Sequence, residues 1–269
     1  MDFTGCPSNP PPIRASHTAV YDKQTNEMIV FGGSGSTNGA SNLKNDLWLL
    51  SNADNSGIAP TWLPLSPAGG QLPSNRWGHA AVYDEQADVM IVFGGAQTGV
   101  AIFNDVWVLE DATDQFIPTW RQIPMPATGG PSARCCMAVG YDSANRRMVI
   151  FGGSGFGQSG ATQLGDLWTL TFDENFQSAT WKELTPSGGT APSARCCAAS
   201  FWDGSKFLLF GGGTFSDSSD NKIYALVLQD TTFATADGPS GGPTARTFSD
   251  GCSGRALPAV RRYGIVSRR

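Results

Sequence analysis

The sequence predicts an all-β protein built of four-stranded sheets stacked radially, a β-propeller, and three observations carry the prediction. The segment "PSARCCMAVGYDSANRRMVIFGG" that opens at Pro131 is nearly rewritten as "PSARCCAASFWDGSKFLLFGG" from Pro192. Gly-Gly pairs begin at Gly32, Gly94, Gly152 and Gly211, about 60 residues apart, the spacing of a structural repeat. Tryptophan keeps two registers, Asp-x-Trp at Asp46/Trp48, Asp105/Trp107 and Asp166/Trp168, and a closing Trp at Trp62, Trp120 and Trp181.

Each copy carries four strand-like runs. In the first they are "HTAVYD", "EMIVFGG", "DLWLL" and "TWLPL", rich in β-branched and aromatic residues and separated by Gly, Asn, Asp, Pro and Ser. The first two runs are joined by short polar turns, "DKQTNE", "DEQADV" and "DSANRR" in copies one to three. No run has a helical period, so each copy reads as an antiparallel meander. Such a sheet hides both faces only by stacking on its neighbours, and radial stacking of four-stranded units makes a propeller. Copy four decays, with Lys222/Tyr224 in the Asp-x-Trp register and no closing Trp.

The blades are expected at about 14–65, 76–123, 134–184 and 195–235, after a linker-like segment 1–13. A remnant of a fifth copy at 244–250 begins around Arg246, and a basic tail, expected to be disordered, spans 251–269. Four copies and a remnant leave three options: a ring closed with four or four and a half blades, two chains pairing open edges, or a piece of a longer array. The last, or an imperfectly closed partial ring, is the favoured expectation. Exposed blade faces would then invite self-association through open edges.

The composition bounds the function. A net charge of −5 argues against a general nucleic-acid binder. No apolar run is long enough to span a membrane, and "MDFTGCPSNPPPIR" has no signal-peptide pattern. Compartment stays open, with the cytoplasm favoured if Met1 is the native start.

The pattern "RxxHTAVYD", an apolar run into "FGG", then "NDLW" and a Trp, resembles the kelch repeat over about residues 14 to 235. The resemblance implies one propeller blade per repeat. It also implies a binding platform more often than an enzyme.

In an up-and-down blade, the start of strand one shares a face with the strand two–three loops. That face receives Arg14, Arg76, Arg134 and Arg195, with Arg246 as a fifth, expected as a ring near the axis. Their planar guanidinium groups suit carboxylates, so the ring is a candidate site for an acidic or polar ligand, a peptide or a glycan. The bland reading is that they hold blades together. Phe103, Phe156 and Phe215, in loops of unequal length, would add apolar contacts.

Chemical signatures are sparse. Gly-Gly at strand ends suits positive φ and close backbone approach, and no helix follows to make a phosphate cradle. The repeated Trp residues read as core anchors. Asp22, Asp84 and Asp142 read as turn-formers, and Asp46, Asp105 and Asp166 likewise. His17 and His79 share one repeat slot, which argues for structure over metal binding, and no His pair outside that register supports a copper radical oxidase of the kelch-like kind. Cys135-Cys136 and Cys196-Cys197 occupy equivalent slots and read as small buried thiols, with a bridge between blades or a thiolate metal site as the sharper readings. No catalytic residue, metal or cofactor is expected. The reading is a non-catalytic module for protein–protein or protein–glycan recognition. The alternatives are a kelch-like hydrolase, lyase or isomerase domain with its pocket on the same face, and a structural or adhesion repeat.

Overall fold

A computed structural model describes residues 9–35, 41–68, 70–115, 117–125, 128–157, 160–213, 222–229 and 231–237. They form four four-stranded antiparallel sheets. Blade one comprises β1 (Thr18–Asp22), β2 (Glu27–Ser34), β3 (Leu43–Ser51) and β4 (Thr61–Leu65). Blade two runs through β5 (Ala80–Asp84) and β6 (Val89–Phe93), a small hairpin of β7 (Ala96–Gln97) and β8 (Ala101–Ile102), then β9 (Val106–Glu110) and β10 (Thr119–Ile123). Blade three has β11 (Ala138–Asp142), β12 (Arg147–Gly157), β13 (Gly160–Phe172) and β14 (Ala179–Leu184). Blade four has β15 (Ala199–Trp202), β16 (Lys206–Phe210), β17 (Lys222–Val227) and β18 (Thr232–Asp237). The one described helical turn is Ser143–Asn145, in the turn between β11 and β12. The remnant at 244–250, Arg246 and the tail lie outside the described residues, as does Phe215.

Strand alternation supplies each blade with two apolar faces. Ile29, Phe31, Leu47, Leu49 and Leu65 of blade one meet Met90, Val92, Trp107, Leu109 and Trp120 of blade two. The same registers recur between blades two and three, where Ile91, Phe93 and Val108 meet Met148, Ile150 and Trp181. Between blades three and four, Val149, Phe151 and Leu167 meet Phe207, Leu209, Leu226 and Phe233. The missing closing Trp of blade four is thus answered by Phe233. It sits opposite Leu226 as Trp62, Trp120 and Trp181 sit opposite Leu50, Leu109 and Leu170.

Strand one of each blade touches strand one of the next, β1 to β5 to β11 to β15, so these strands are innermost. Along them runs a backbone chain. Gly78 donates its N–H to Ser16 (2.9 Å), Cys136 to Gly78, and Cys197 to Cys136 (2.8 Å). All four carry positive φ, between 54° and 62°. At the other end of the strands, Tyr83 and Tyr141 donate their hydroxyls to Asp22 (3.2 Å) and Asp84 (2.7 Å) of the preceding blade. The same aspartates cap their own turns, as in Gln24 N–H to Asp22 and Gln86 N–H to Asp84, so the turn-forming expectation holds with a second duty added.

Candidate functional site: the loop face

The loop face is built from the Gly-Gly pair outward. Gly32 and Gly33 have φ of 65° and 95°, and the β2–β3 register slips there, a glycine bulge that turns β2 toward the loop. A Cβ on Gly94 would stand 2.7 Å from the Arg134 carbonyl, and one on Gly152 would stand 2.5 Å from that of Arg195. Glycine therefore admits the next blade's arginine backbone. Gly33, Gly95 and Gly153 then donate their N–H groups to the carbonyls of Arg76, Arg134 and Arg195 at 2.8–2.9 Å.

The arginine side chains turn back into their own blades. Arg76 places Nη1 on the Gly94 carbonyl (2.9 Å) and grips Asp105 with two bonds of 2.7 and 2.8 Å. Arg14 grips Asp46 and Arg134 grips Asp166 in the same fork-to-carboxylate geometry. The indoles of Trp48, Trp107 and Trp168 donate to the same aspartates at 2.7 Å. In blade four, where Lys222 stands in the aspartate register, Arg195 bonds the Gly211 carbonyl and lies 5.1 Å from the centre of the Tyr224 ring.

Burial alone would raise the Asp46 and Asp166 carboxyls. The hydrogen bonds and charge of Arg14 and Arg134, with the indole donors, outweigh it and hold both below the ordinary value. Asp46, Asp105 and Asp166, read in the sequence as turn-formers, are instead the counter-ions of the arginine ring. The signal was present: arginine and aspartate keep a near-constant separation in copies one to three, although copy four keeps Arg195 and puts Lys222 in the aspartate register.

The ring therefore has a different geometry from a ligand-facing one. Arg76 and Arg134 have no exposed surface, Arg195 is 4% exposed, and only 4% of the Arg14 side chain is exposed. Their guanidinium groups support the face from beneath. Phe103 lies under Arg76 at 4.4 Å and is half-buried, and Phe156 lies within β12 with its side chain outside the described set. What stands above is hairpin. Trp77 pairs with Ala96 and donates its indole N–H to Thr98, while Val100 at the β7–β8 tip is 73% exposed. In blade three the strands themselves lengthen into the hairpin, β12 and β13 pairing out to Gly157 and Gly160.

His79 is buried beside Phe31, its Nε2 2.7 Å from the Thr18 hydroxyl. Burial, then the charge of Arg76, lowers it to about 3, so the ring is neutral. His17 is lowered too, by burial and Arg14. Among the described residues, no group of three or more His, Cys, Asp or Glu is arranged to hold a metal ion. The cysteine slots depart from the sequence reading. Cys135 and Cys196 are buried, but Cys136 is half-buried and Cys197 exposed, and the positive φ at Cys136 and Cys197 breaks strand alternation.

Among the described residues no helix is long and apolar enough to cross a membrane. Comparison with known proteins places this architecture. A profile of the KLHDC2/KLHL20/DRC7 Kelch-repeats domain matches residues 4–128 and 118–257. The chain is 28% identical over 228 residues to putative adagio-like protein 2 of Oryza sativa subsp. japonica, covering 80% of this chain and 33% of that protein. An F-box/kelch-repeat protein of Arabidopsis thaliana is 26% identical over 231 residues, covering 81% of this chain and 42% of its own length. Human host cell factor 1 is 29% identical over 168 residues, which is 61% of this chain and 7% of that protein. The chain thus spans well under half the length of these relatives. With that profile matching most of its length, the chain belongs to the kelch-repeat family.

Proposed function

We propose that this chain is a non-catalytic recognition module that binds a protein ligand on its loop face. The observation that carries the reading is the division of labour there. The repeated charged groups are spent beneath the surface on the frame, and hairpins of unequal length, led by Trp77 and the exposed Val100, are left to meet a partner. Apolar and aromatic side chains on a rigid base suit protein recognition. The arginines serve binding through the loops they hold, and an acidic ligand would meet the face at its rim. The test replaces residues 97–102 with a two-residue Asn-Gly turn. Partners recovered by the parent chain should be lost with melting unchanged. Retention of every partner, or selective binding on a glycan array, overturns the reading.

A second reading concerns the flanks. Phe201 of blade four is 59% exposed in the slot that Val82 fills against blade three. On blade one, Met28, Trp48 and Trp62 occupy the registers through which later blades pack, and each is only half-buried. We infer that these two faces pair head to tail with a second copy in the register of blade two on blade one. Phe201→Asp should convert a concentration-dependent dimer to monomer in sedimentation. A parent chain monomeric at every concentration tested sinks it.

A further inference from the structure

The second cysteine pair sits in a geometry that the repeat imposes on the equivalent slot of every blade. Cys196 exchanges both backbone hydrogen bonds with Gly213, and Cys197 donates to the Cys136 carbonyl. Between them the chain turns, with φ of 61° at Cys197. In an extended strand, adjacent side chains point to opposite faces. Here the left-handed turn brings both to one side, and the two Sγ atoms lie 3.3 Å apart. Ser16, Gly78 and Cys136 show the same turn at φ of 54°, 62° and 58°, so the blade-to-blade chain demands it whatever residue is present. Blades one and two place Ala15-Ser16 and Trp77-Gly78 in this slot, where no thiol chemistry is available. In blade four Cys197 is exposed and Cys196 is buried beneath it, with the Gln163 amide 3.7 Å from its sulfur.

We propose that Cys196 and Cys197 form a reversible two-electron oxidation site, a dithiol that closes to a vicinal disulfide at the axial end of the loop face. The co-reactant is a low-molecular-weight disulfide. Cys197 loses its proton to solvent and attacks one sulfur of that disulfide. The S–S bond breaks, and the departing thiolate takes up a proton. Cys196, already in contact, then loses its proton and attacks the Cys197 sulfur of the mixed disulfide, expelling the second thiol. The protein loses two electrons and two protons, and one disulfide becomes two thiols. Adjacent Cα atoms are about 3.8 Å apart across a trans peptide. Ordinary disulfides span about 4.4–6.8 Å. The ring is therefore strained, and a strained bridge is readily reduced, as a labile switch requires and a structural staple does not.

Trypsin supplies the test, because Arg134 and Arg195 precede the two pairs and leave each in its own peptide, 135–146 and 196–206. The whole chain is equilibrated in glutathione and glutathione disulfide, quenched with acid, unfolded, alkylated and digested. Peptide 196–206 should lose the mass of two hydrogens and take no alkyl group. Dithiothreitol should reverse it. In Cys196→Ser, Cys197 should instead hold glutathione, because no neighbouring thiol expels it. Full alkylation of 196–206 under oxidising conditions, stable glutathione on the parent Cys197, or a link between the two peptides each overturns the proposal.

Discussion

The backbone N–H of Gly33 reaches the carbonyl of Arg76 across the first blade boundary at 2.8 Å. At its other end, Arg76 grips Asp105 of its own blade. One residue thus ties the frame of blade two to the bulge of blade one, and the arrangement recurs at Arg134. The loop hairpins spring from that joint.

The Arg76–Asp105 pair should therefore report on stability first. Arg76→Ala leaves a carboxylate facing the emptied pocket, and breaking such a buried pair costs about 3–5 kcal/mol. Asp105→Asn keeps one acceptor and should cost less. The double variant Arg76→Ala with Asp105→Asn should cost less than the two single losses summed. Urea unfolding of the four proteins checks this, and additive costs would show the groups to be uncoupled.

Gly94 has no room for a side chain. Its φ is 65° and a Cβ would meet the Arg134 carbonyl at 2.7 Å. Gly94→Ala should destabilise the chain by roughly 2–4 kcal/mol, from strain and from prising apart blades two and three. At ~2–4 °C per kcal/mol, the drop is easily read by calorimetry. An unchanged melting temperature contradicts the close approach.

Gly140 and Phe207 are matched in size across blades three and four. A Cβ on Gly140 would stand 2.7 Å from the Phe207 ring. The equivalent slot holds Val82 in blade two, against Met148 in blade three. Gly140→Val alone should overpack the interface and cost about 1–3 kcal/mol. Adding Phe207→Met should recover much of the loss. A double variant no better than the single one refutes the pairing.

Acid should weaken the fold from mildly acidic pH downward. His79 is held at about 3 when folded, whereas the unfolded residue protonates near its ordinary 6.5. Between those values the unfolded chain binds more protons, so stability falls as pH drops through the window, by up to about 1.4 kcal/mol per pH unit. Asp46 and Asp166, also depressed, add loss in the same direction at lower pH. His79→Met, the residue blade three carries as Met137, should flatten the slope between about pH 6 and 4. An unaltered slope assigns the sensitivity elsewhere.

What the sequence determined by itself was the repeat and everything local to it. The Gly-Gly bulges, the polar turns and the alternating apolar runs depend on neighbours along the chain, so blade number, strand order and core registers were legible. Phe233 in place of the fourth Trp, and the aspartates as partners of the arginines, join positions that only strand pairing brings face to face. The burial of the arginine ring, and the meeting of Cys196 with Cys197, were decided by tertiary structure. Sequence spacing says which residues share a face. It does not say how deep that face lies once the next blade closes over it, nor where a backbone hydrogen bond between blades forces φ positive.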